Sequence, residues 1–298
     1  MRIAVTGSQG QVARALLERG QVYGIDVITV SRPELDLSRP WTVAPTLARA
    51  KPDVVVNAAA YTAVDQAEAE PDVAKVINHF GAGAVAQASA ELGIPIVHLS
   101  TDYVFDGLLD RPYHELDAVA PTCAYGHSKL AGEIAVADAT ADHVILRTGW
   151  VYSPFRKNFV KTMLRVGRER EELAVVADQR GSPTNALDLA DGIVAICREL
   201  MRRPGDPTLR GVFHLAGHGE ASWAEFAGSC FEISAGYGGP CSRVRAITTA
   251  EYPTPARRPL NSRLDCTKVA EVYGVVLAPW RWSLQQLMPR LLSLETTA

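Results

Sequence analysis

Ile3-Ala4-Val5-Thr6-Gly7-Ser8-Gln9-Gly10-Gln11-Val12-Ala13 is the stretch on which the fold turns. A short β-branched run passes straight into a glycine turn, and the turn opens an amphipathic segment. The spacing is G-x-x-G-x-x-A. The first glycine permits a tight strand-to-helix turn, the second lets backbone approach a pyrophosphate, and the small third residue lets the helix pack closely on the strand. Phosphate oxygens would then rest on Gly7, Ser8, Gln9, Gly10, Gln11 and Val12, at the positive end of the helix. A glycine pattern alone is a weak signal. Its place after the first strand of an alternating pattern gives it weight.

That pattern continues outward. Val27-Ile28-Thr29-Val30, Val54-Val55-Val56, Ile94 to Leu99 and Val144-Ile145-Leu146 are further short apolar runs, separated by amphipathic segments such as Val12 to Leu17 and Val73 to Leu92. The runs lack apolar/polar alternation, as strands covered on both faces do. Strands alternating with helices predict an α/β fold with a parallel, doubly wound sheet. After residue 150 glycine, proline and aromatics thicken, as in Ser153-Pro154-Phe155 and Tyr237-Gly238-Gly239-Pro240, while Ala174-Val175-Val176 and Val212-Phe213-His214 still read as core strands. The reading is a dinucleotide-binding domain over 1–150 with returning segments near 186–216. Residues 151–298 are then mainly a smaller C-terminal lobe, interleaved with the first, with a proline-rich loop from Pro253 to Asn261.

The second strand ends Val30-Ser31-Arg32, where a dinucleotide fingerprint usually places an acid for the ribose hydroxyls. A serine and an arginine there suit a 2′-phosphate, so NADPH is expected over NADH, with NADH possible. The plainer alternative is that Arg32 is a solvated surface residue. Asp36-Leu37 follows slightly later and suits contact with the adenine edge.

Bulk properties exclude several classes. The 298 residues carry a formal charge of −3, with 47% hydrophobic and 21% charged residues. No basic patch points to nucleic acid, and no apolar run approaches a membrane span. The N-terminal run is too short for a signal-peptide core, so the cytoplasm is expected. Cys123, Cys197, Cys230, Cys241 and Cys266 are odd in number, widely spaced and free of any C-x-x-C pair, which indicates neither a disulfide framework nor a zinc site.

Tyr125-Gly126-His127-Ser128-Lys129 is the sharpest feature. The i, i+4 spacing puts a phenol and an ammonium on one helix face, where the cation is expected to lower the tyrosine's pKa and help it exchange a proton. The lysine can also hold a nicotinamide ribose. Y-x-x-x-K is common by itself. Ser100-Thr101 sharpens it, because a hydroxyl after the fourth strand points to the carboxyl end of the sheet, where α/β ligands bind.

The order of these elements resembles the extended short-chain dehydrogenase/reductase superfamily, with its Thr-Tyr-Lys set and Rossmann-type fold. More narrowly the chain resembles the dTDP-4-dehydrorhamnose reductase family, through Gly7 to Val12, Asn57-Ala58-Ala59-Ala60-Tyr61-Thr62-Ala63-Val64-Asp65, Ser100 to Gly107, Tyr125 to Lys129, Arg147 to Tyr152, Asn158-Phe159 and Asp178 to Thr184. The resemblance implies that Ala58, Ala59, Ala60, Tyr61 and Thr62 lie along the cofactor, and that Val64 and Asp65 lie near the sugar. It implies that Thr101 orients the keto oxygen, Tyr125 protonates it and Lys129 supports both tyrosine and ribose. Asp102 and Tyr103 would contact the sugar ring, and Trp150 would pack beside it or simply belong to the core. The substrate implied is a nucleotide-linked 6-deoxy-hexulose, bound by the C-terminal lobe and reduced at position 4. Arg258 and Arg147 are the cationic candidates for its diphosphate, with Arg147 equally suited to a buried ion pair. Ala13 stands where many relatives have a third glycine. Some relatives are magnesium-bridged homodimers through glutamates; no matching acids stand out here, so Mg2+ and a homodimer stay open, and no metal ligands are assigned.

Two rivals share these motifs. An epimerase or dehydratase would use the same cofactor site, but dehydration calls for an Asp-Glu pair where this chain has Asp102-Tyr103, and a phenol is a poor base for a carbon acid. A non-catalytic regulatory subunit, like that of methionine adenosyltransferase, has no need of Thr101, Tyr125 and Lys129 together.

Overall fold

A computed structural model describes residues 1–295. In chain order the first half runs β1 (Arg2–Thr6), α1 (Gln11–Tyr23), β2 (Asp26–Val30), α2 (Val43–Ala50), β3 (Val54–Asn57), α3 (Val64–Ala67), α4 (Pro71–Lys75), α5 (Ala82–Leu92), β4 (Ile96–Thr101), α6 (Ala124–Ala139) and β5 (His143–Thr148). A wider π turn, Val76–Gly81, joins α4 to α5. The second half runs β6 (Val151–Tyr152), α7 (Phe159–Val166), β7 (Glu172–Val176), β8 (Arg180–Gly181), β9 (Thr184–Asn185), α8 (Ala186–Arg202), β10 (Gly211–His214), β11 (Ala221–Ser222), α9 (Trp223–Gly236), β12 (Arg243–Ile247), α10 (Thr267–Tyr273) and α11 (Trp280–Glu295).

Six strands form one parallel sheet in the order β2-β1-β3-β4-β5-β10. The middles of the strands are mostly apolar because both faces are covered, with polar residues such as Thr6, Asn57 and Thr101 gathering at their carboxyl ends. Ile3, Val5, Val54, Val56, Val97, Val144 and Leu146 face one core with Leu16 of α1 and Ile193 of α8. Ala4, Val55, Ile96 and Ile145 face the other, with Leu47 of α2, Val85 of α5 and Val136 of α6. Both layers are close-packed, and truncating a buried leucine such as Leu16 to alanine costs about 2–5 kcal/mol.

Chain order reverses beside β1. The chain leaves β1 for β2 on one side and returns to β3 on the other, which opens a crevice at their carboxyl ends. Gly7 sits there with φ +83°, a left-handed conformation that favours glycine, and its N–H donates to the Val30 carbonyl at 2.8 Å. Helix α1 starts from Gly10 and stops at Gly24, which adopts φ +64°.

The chain then comes back to the sheet. Helix α8 supplies Leu189, Ile193 and Cys197 to the first core, and β10 pairs with β5 in register Phe213 to Leu146. The run Ala174-Val175-Val176, expected to be a core strand, lies instead in a separate ribbon with β12. Its alternating exposure reflects a strand with one covered face, packed on Ala227 and Phe231 of α9. A third core gathers Tyr152, Phe226, Trp280, Leu284 and Leu291.

One side chain binds the two parts of the chain together. Gln11, the first residue of α1, donates to the Val151 carbonyl at 3.2 Å and accepts from Ser153 Oγ at 2.7 Å and Asn158 Nδ2 at 3.2 Å. Asn158 in turn caps α7. The side chain of Gln11, placed on the cofactor by the sequence, therefore works as a strut, and its backbone is what remains at the helix start.

Candidate active site

At the crevice the turn leaves the start of α1 open. No side chain caps α1, and a Cβ placed on Gly10 would meet nothing within 4 Å. The first N–H groups of a 13-residue helix thus open on free space. Ser8, Gln9 and Val12 are exposed or half-buried around it, and Ala58, Ala59 and Ala60 line the neighbouring end of β3, half-buried and without bulk. Thr6 Oγ1 accepts from the Ala59 N–H at 3.0 Å and so fixes that edge. These residues fit a dinucleotide diphosphate. Ser31 and the exposed Arg32 lie just past β2, a position that suits a 2′-phosphate. Asp36 and Leu37 differ from expectation in their side chains. The Asp36 carboxylate accepts from Ser38 N and Oγ at 3.0 and 2.7 Å, and Leu37 is buried in the second core. Tyr61 is pinned by Asn78 at both its N–H and its carbonyl, Thr62 is exposed, and Val64 is half-buried at the start of α3.

Cys123 precedes helix α6, and its Sγ accepts from the Gly126 N–H and caps the helix. That cap sets Tyr125 in the first turn and Lys129 one turn later. Thr101, the last residue of β4, donates to Asp102 Oδ1 at 2.9 Å and accepts from the Tyr103 N–H at 3.2 Å. The Tyr125 hydroxyl lies beside Thr101, and its ring meets that of Tyr103 edge-on at 5.7 Å. The expected lowering of the tyrosine pKa is overturned. Burial holds the Tyr125 phenol well above its ordinary range, outweighing the nearby Thr101 hydroxyl, with the Asp102 and Tyr103 charges acting in the same direction as burial. Lys129 is 2% exposed and donates to the Leu99 carbonyl at 2.6 Å. Burial brings its ammonium down to about 8, against the opposing pull of Glu133.

Three residues far apart in sequence close one wall of this crevice. Arg258 Nη2 binds Asp65 Oδ2 at 2.6 Å, and its Nη1 binds the Tyr103 hydroxyl at 3.2 Å. Burial pushes Tyr103 up to about 12, with Arg258 pulling it back. The Pro253–Asn261 stretch that carries Arg258 is held down by Asp65 Oδ1, which accepts from the Ala256 N–H at 3.3 Å. Asp102 is nearly sealed, 2% exposed, and a Cβ on Gly149 would fall 2.4 Å from its Oδ2. Burial raises its carboxyl to about 6. Contact with a sugar ring therefore falls to its neighbours more readily than to Asp102 itself.

Of the two readings of Arg147, the ion pair holds. Its guanidinium makes a buried fork to Glu133, at 2.7 Å for the closest contact, and Glu133 also accepts from Ser100 Oγ at 2.5 Å. Trp150 stacks on Trp223 with centroids 3.4 Å apart and donates to Ser262 Oγ at 3.1 Å. It takes φ +51°, unusual for a bulky residue, and is only half-buried.

Two residues that support this site lie outside the motifs read from the sequence, Asn78 and Glu133. Asn78 projects from the π turn to bind both Tyr61 and Ser128 Oγ, joining the segment after β3 to α6. Glu133 follows Lys129 by four residues, which a helical reading of the Tyr-Lys face would have reached. Among the described residues no helix is long and apolar enough to cross a membrane, and no three His, Cys, Asp or Glu gather as a metal-holding group.

Comparison with known proteins agrees with this geometry. A family model described as the RmlD substrate binding domain matches residues 1–293. A dTDP-4-dehydrorhamnose reductase of Sinorhizobium fredii is 49% identical over 292 residues, covering 98% of each chain. The crystal structure of a dTDP-4-dehydrorhamnose reductase from Clostridium acetobutylicum superposes with a TM-score of 0.90 at 36% identity, over 98% of this chain and 99% of that one. The Bacillus anthracis reductase, solved in complex with NADP, superposes with a TM-score of 0.88 at 36% identity, over 97% and 98%.

Proposed function

The chain belongs to the dTDP-4-dehydrorhamnose reductase family, and from that premise we propose how its own residues carry out the reaction. It is an NADP-dependent oxidoreductase that reduces the 4-keto group of dTDP-4-dehydrorhamnose to the hydroxyl of dTDP-L-rhamnose. When bound, the reduced nicotinamide supplies the hydride. The proton is the protein's part.

Tyr125 donates its phenolic proton to the keto oxygen as negative charge develops there. The raised proton affinity suits this direction of reaction, because burial keeps the phenol protonated until an alkoxide calls for the proton. Thr101, beside Tyr125 and steadied by Asp102, orients the same oxygen. Lys129 presents an ammonium one helical turn away, which favours the tyrosinate left behind and holds the nicotinamide ribose. Backbone N–H groups at Gly10, Gln11 and Val12 take the cofactor diphosphate, and Ser31 with Arg32 takes the 2′-phosphate. Arg258, already in place beside Tyr103 and half-buried, offers a guanidinium fork to the diphosphate of the nucleotide sugar. The residues after 150 then form the sugar-binding lobe, with Trp150 as part of its wall.

The observation that carries this reading is the meeting of Thr101, Tyr125, Tyr103, Arg258 and Asp65 at one crevice, from segments up to 193 residues apart. It is tested with a panel of dTDP- and GDP-linked 4-keto-6-deoxy sugars, following NADPH oxidation. Arg258→Ala should raise KM for the dTDP-sugar and leave NADPH binding unchanged. Equal turnover of the free keto-sugar and its dTDP-linked form would sink the nucleotide-sugar assignment.

A further inference from the structure

Helix α1 meets the second half of the chain along one face. Gln11, Arg14 and Glu18 are spaced i, i+3 and i+7, so they line the same side of the helix. Glu18 takes two 2.7 Å bonds from Arg290 of α11, and the Arg14 guanidinium lies 4.8 Å over the Phe155 ring. Both contacts are partly open to solvent, where such pairs contribute little. Gln11, at the crevice end, differs. Its amide spends all three of its bonds on one short segment, donating to the Val151 carbonyl and accepting from Ser153 Oγ and Asn158 Nδ2. Only a side chain that donates at one end and accepts at the other suits that set.

The segment follows a strained residue. Trp150, immediately before it, has φ +51°, and a bulky residue keeps such a conformation only where its surroundings over-determine it. Val151 is held on two sides, by Gln11 at its carbonyl and by β9, where it pairs with Thr184. The Trp150 carbonyl accepts from the Thr184 N–H at 3.2 Å, and its ring is fixed by Trp223 and Ser262. Gly149, on the other side of Trp150, is pressed against the Asp102 carboxyl, which puts the tryptophan at the crevice. The N–H of Gln11, in the first turn of α1, has no intrahelical partner. One residue thus has its backbone at the open start of α1 and its side chain on the segment that fixes Trp150.

We propose that Gln11 is a positioning residue for the sugar side of the site, its amide holding Trp150 in register with the turn that takes the cofactor. This rests on Trp150 forming part of the sugar wall, and the test separates the two. Gln11→Met keeps the length of the side chain and loses all three bonds. Gln11→Glu keeps the acceptor for Ser153 and Asn158 but turns an oxygen toward the Val151 carbonyl. In the full-length enzyme, calorimetry of dTDP-L-rhamnose on the NADP-bound form should show binding about 10-fold weaker in both variants. At saturating NADPH and dTDP-sugar, kcat should fall by up to about 10²-fold, the scale of a misplaced reacting group. NADPH affinity, which uses only the Gln11 backbone, should stay within about 2-fold of wild type. Ser153→Ala removes one bond of the three, should move dTDP-L-rhamnose affinity the same way by less, and serves if Gln11→Met does not fold. On a Trp150→Ala background, Gln11→Met should add no further loss. Unchanged dTDP-L-rhamnose affinity and kcat in Gln11→Met, or its full loss repeated on the Trp150→Ala background, overturns the proposal. Wild-type dTDP-L-rhamnose affinity in Trp150→Ala alone would instead remove the sugar-wall role on which it rests.

Discussion

Replacing Glu133 by glutamine should be among the most damaging single changes to stability outside the apolar core. Glu133 and Arg147 have side chains only 5% and 4% exposed. Arg147 Nε sits 2.9 Å from Oε1 and Nη2 sits 2.7 Å from Oε2, while Ser100 Oγ occupies Oε1 as well. The remaining guanidinium nitrogen, Nη1, is buried without a hydrogen-bond partner, and the group lies 5.1 Å over the Phe105 ring. Its neighbour His214 is pushed down to about 3 by burial and then by Arg147, and so stays neutral. Glutamine keeps the shape and one acceptor but strands the cation, and stranding one partner of a buried pair costs about 3–5 kcal/mol. The retained oxygen favours the lower end. With a urea m-value of about 2 kcal/mol/M, the midpoint should fall by about 1.5 M. Urea titration followed by tryptophan fluorescence reads this directly, since the chain has five tryptophans. Glu133→Leu with Arg147→Met should return much of the loss, because neither charge is then buried alone. A midpoint within about 0.3 M of wild type, or a double variant as weak as the summed singles, would refute the reasoning.

Tyr125→Phe deletes the proton donor and keeps the ring, so the rate should fall by about 10²–10⁴-fold while NADPH still binds; near-normal single-turnover rates would assign the proton to another group. Arg32→Ala should narrow the preference for NADPH over NADH in measured affinity, and an unchanged ratio would remove Arg32 from the 2′-phosphate site. Asp102 titrates at about 6 in the folded chain, above its unfolded value, so the folded state holds that proton more tightly. Its contribution is therefore favourable below about pH 4 and is lost as pH rises through about 6. Asp102→Asn should abolish about 2 kcal/mol of the stability difference between pH 4 and pH 7, and an unaltered pH dependence in urea titrations would contradict the assignment.

Much of the fold was legible because the sheet is covered on both faces. Val54-Val55-Val56 reads as a buried strand in any context, and the turn from Thr6 to Gly10 had one good geometric use. The placing of Tyr125 and Lys129 on one helix was legible through spacing, since they lie one helical turn apart. What failed had physical reasons. Ala174-Val175-Val176 has the residues of a core strand and pairs instead with β12, a choice made by long-range packing. The guanidinium of Arg147 suits phosphate and carboxylate alike, and only the fold brings Glu133 to it. The proton affinity of Tyr125 was misjudged in sign because a cation one turn away is visible in sequence and desolvation is not. His98 and Asn57 hide inside apolar runs, where nothing announces that they bond across β3 and β4.

The late return of β10 to the sheet has a consequence for the chain as it is made. Strand β5 ends at Thr148, and its outer neighbour is not complete until His214, about 65 residues later. At roughly 5–20 residues per second, the edge of β5 stays unpaired for about 3–13 s of synthesis. During that interval the nascent sheet shows a row of open N–H and C=O groups beside Ile145 and Leu146, the kind of edge on which chains aggregate. A fragment stopped near residue 150 would keep that edge permanently, so the N-terminal half is a poor candidate for expression by itself.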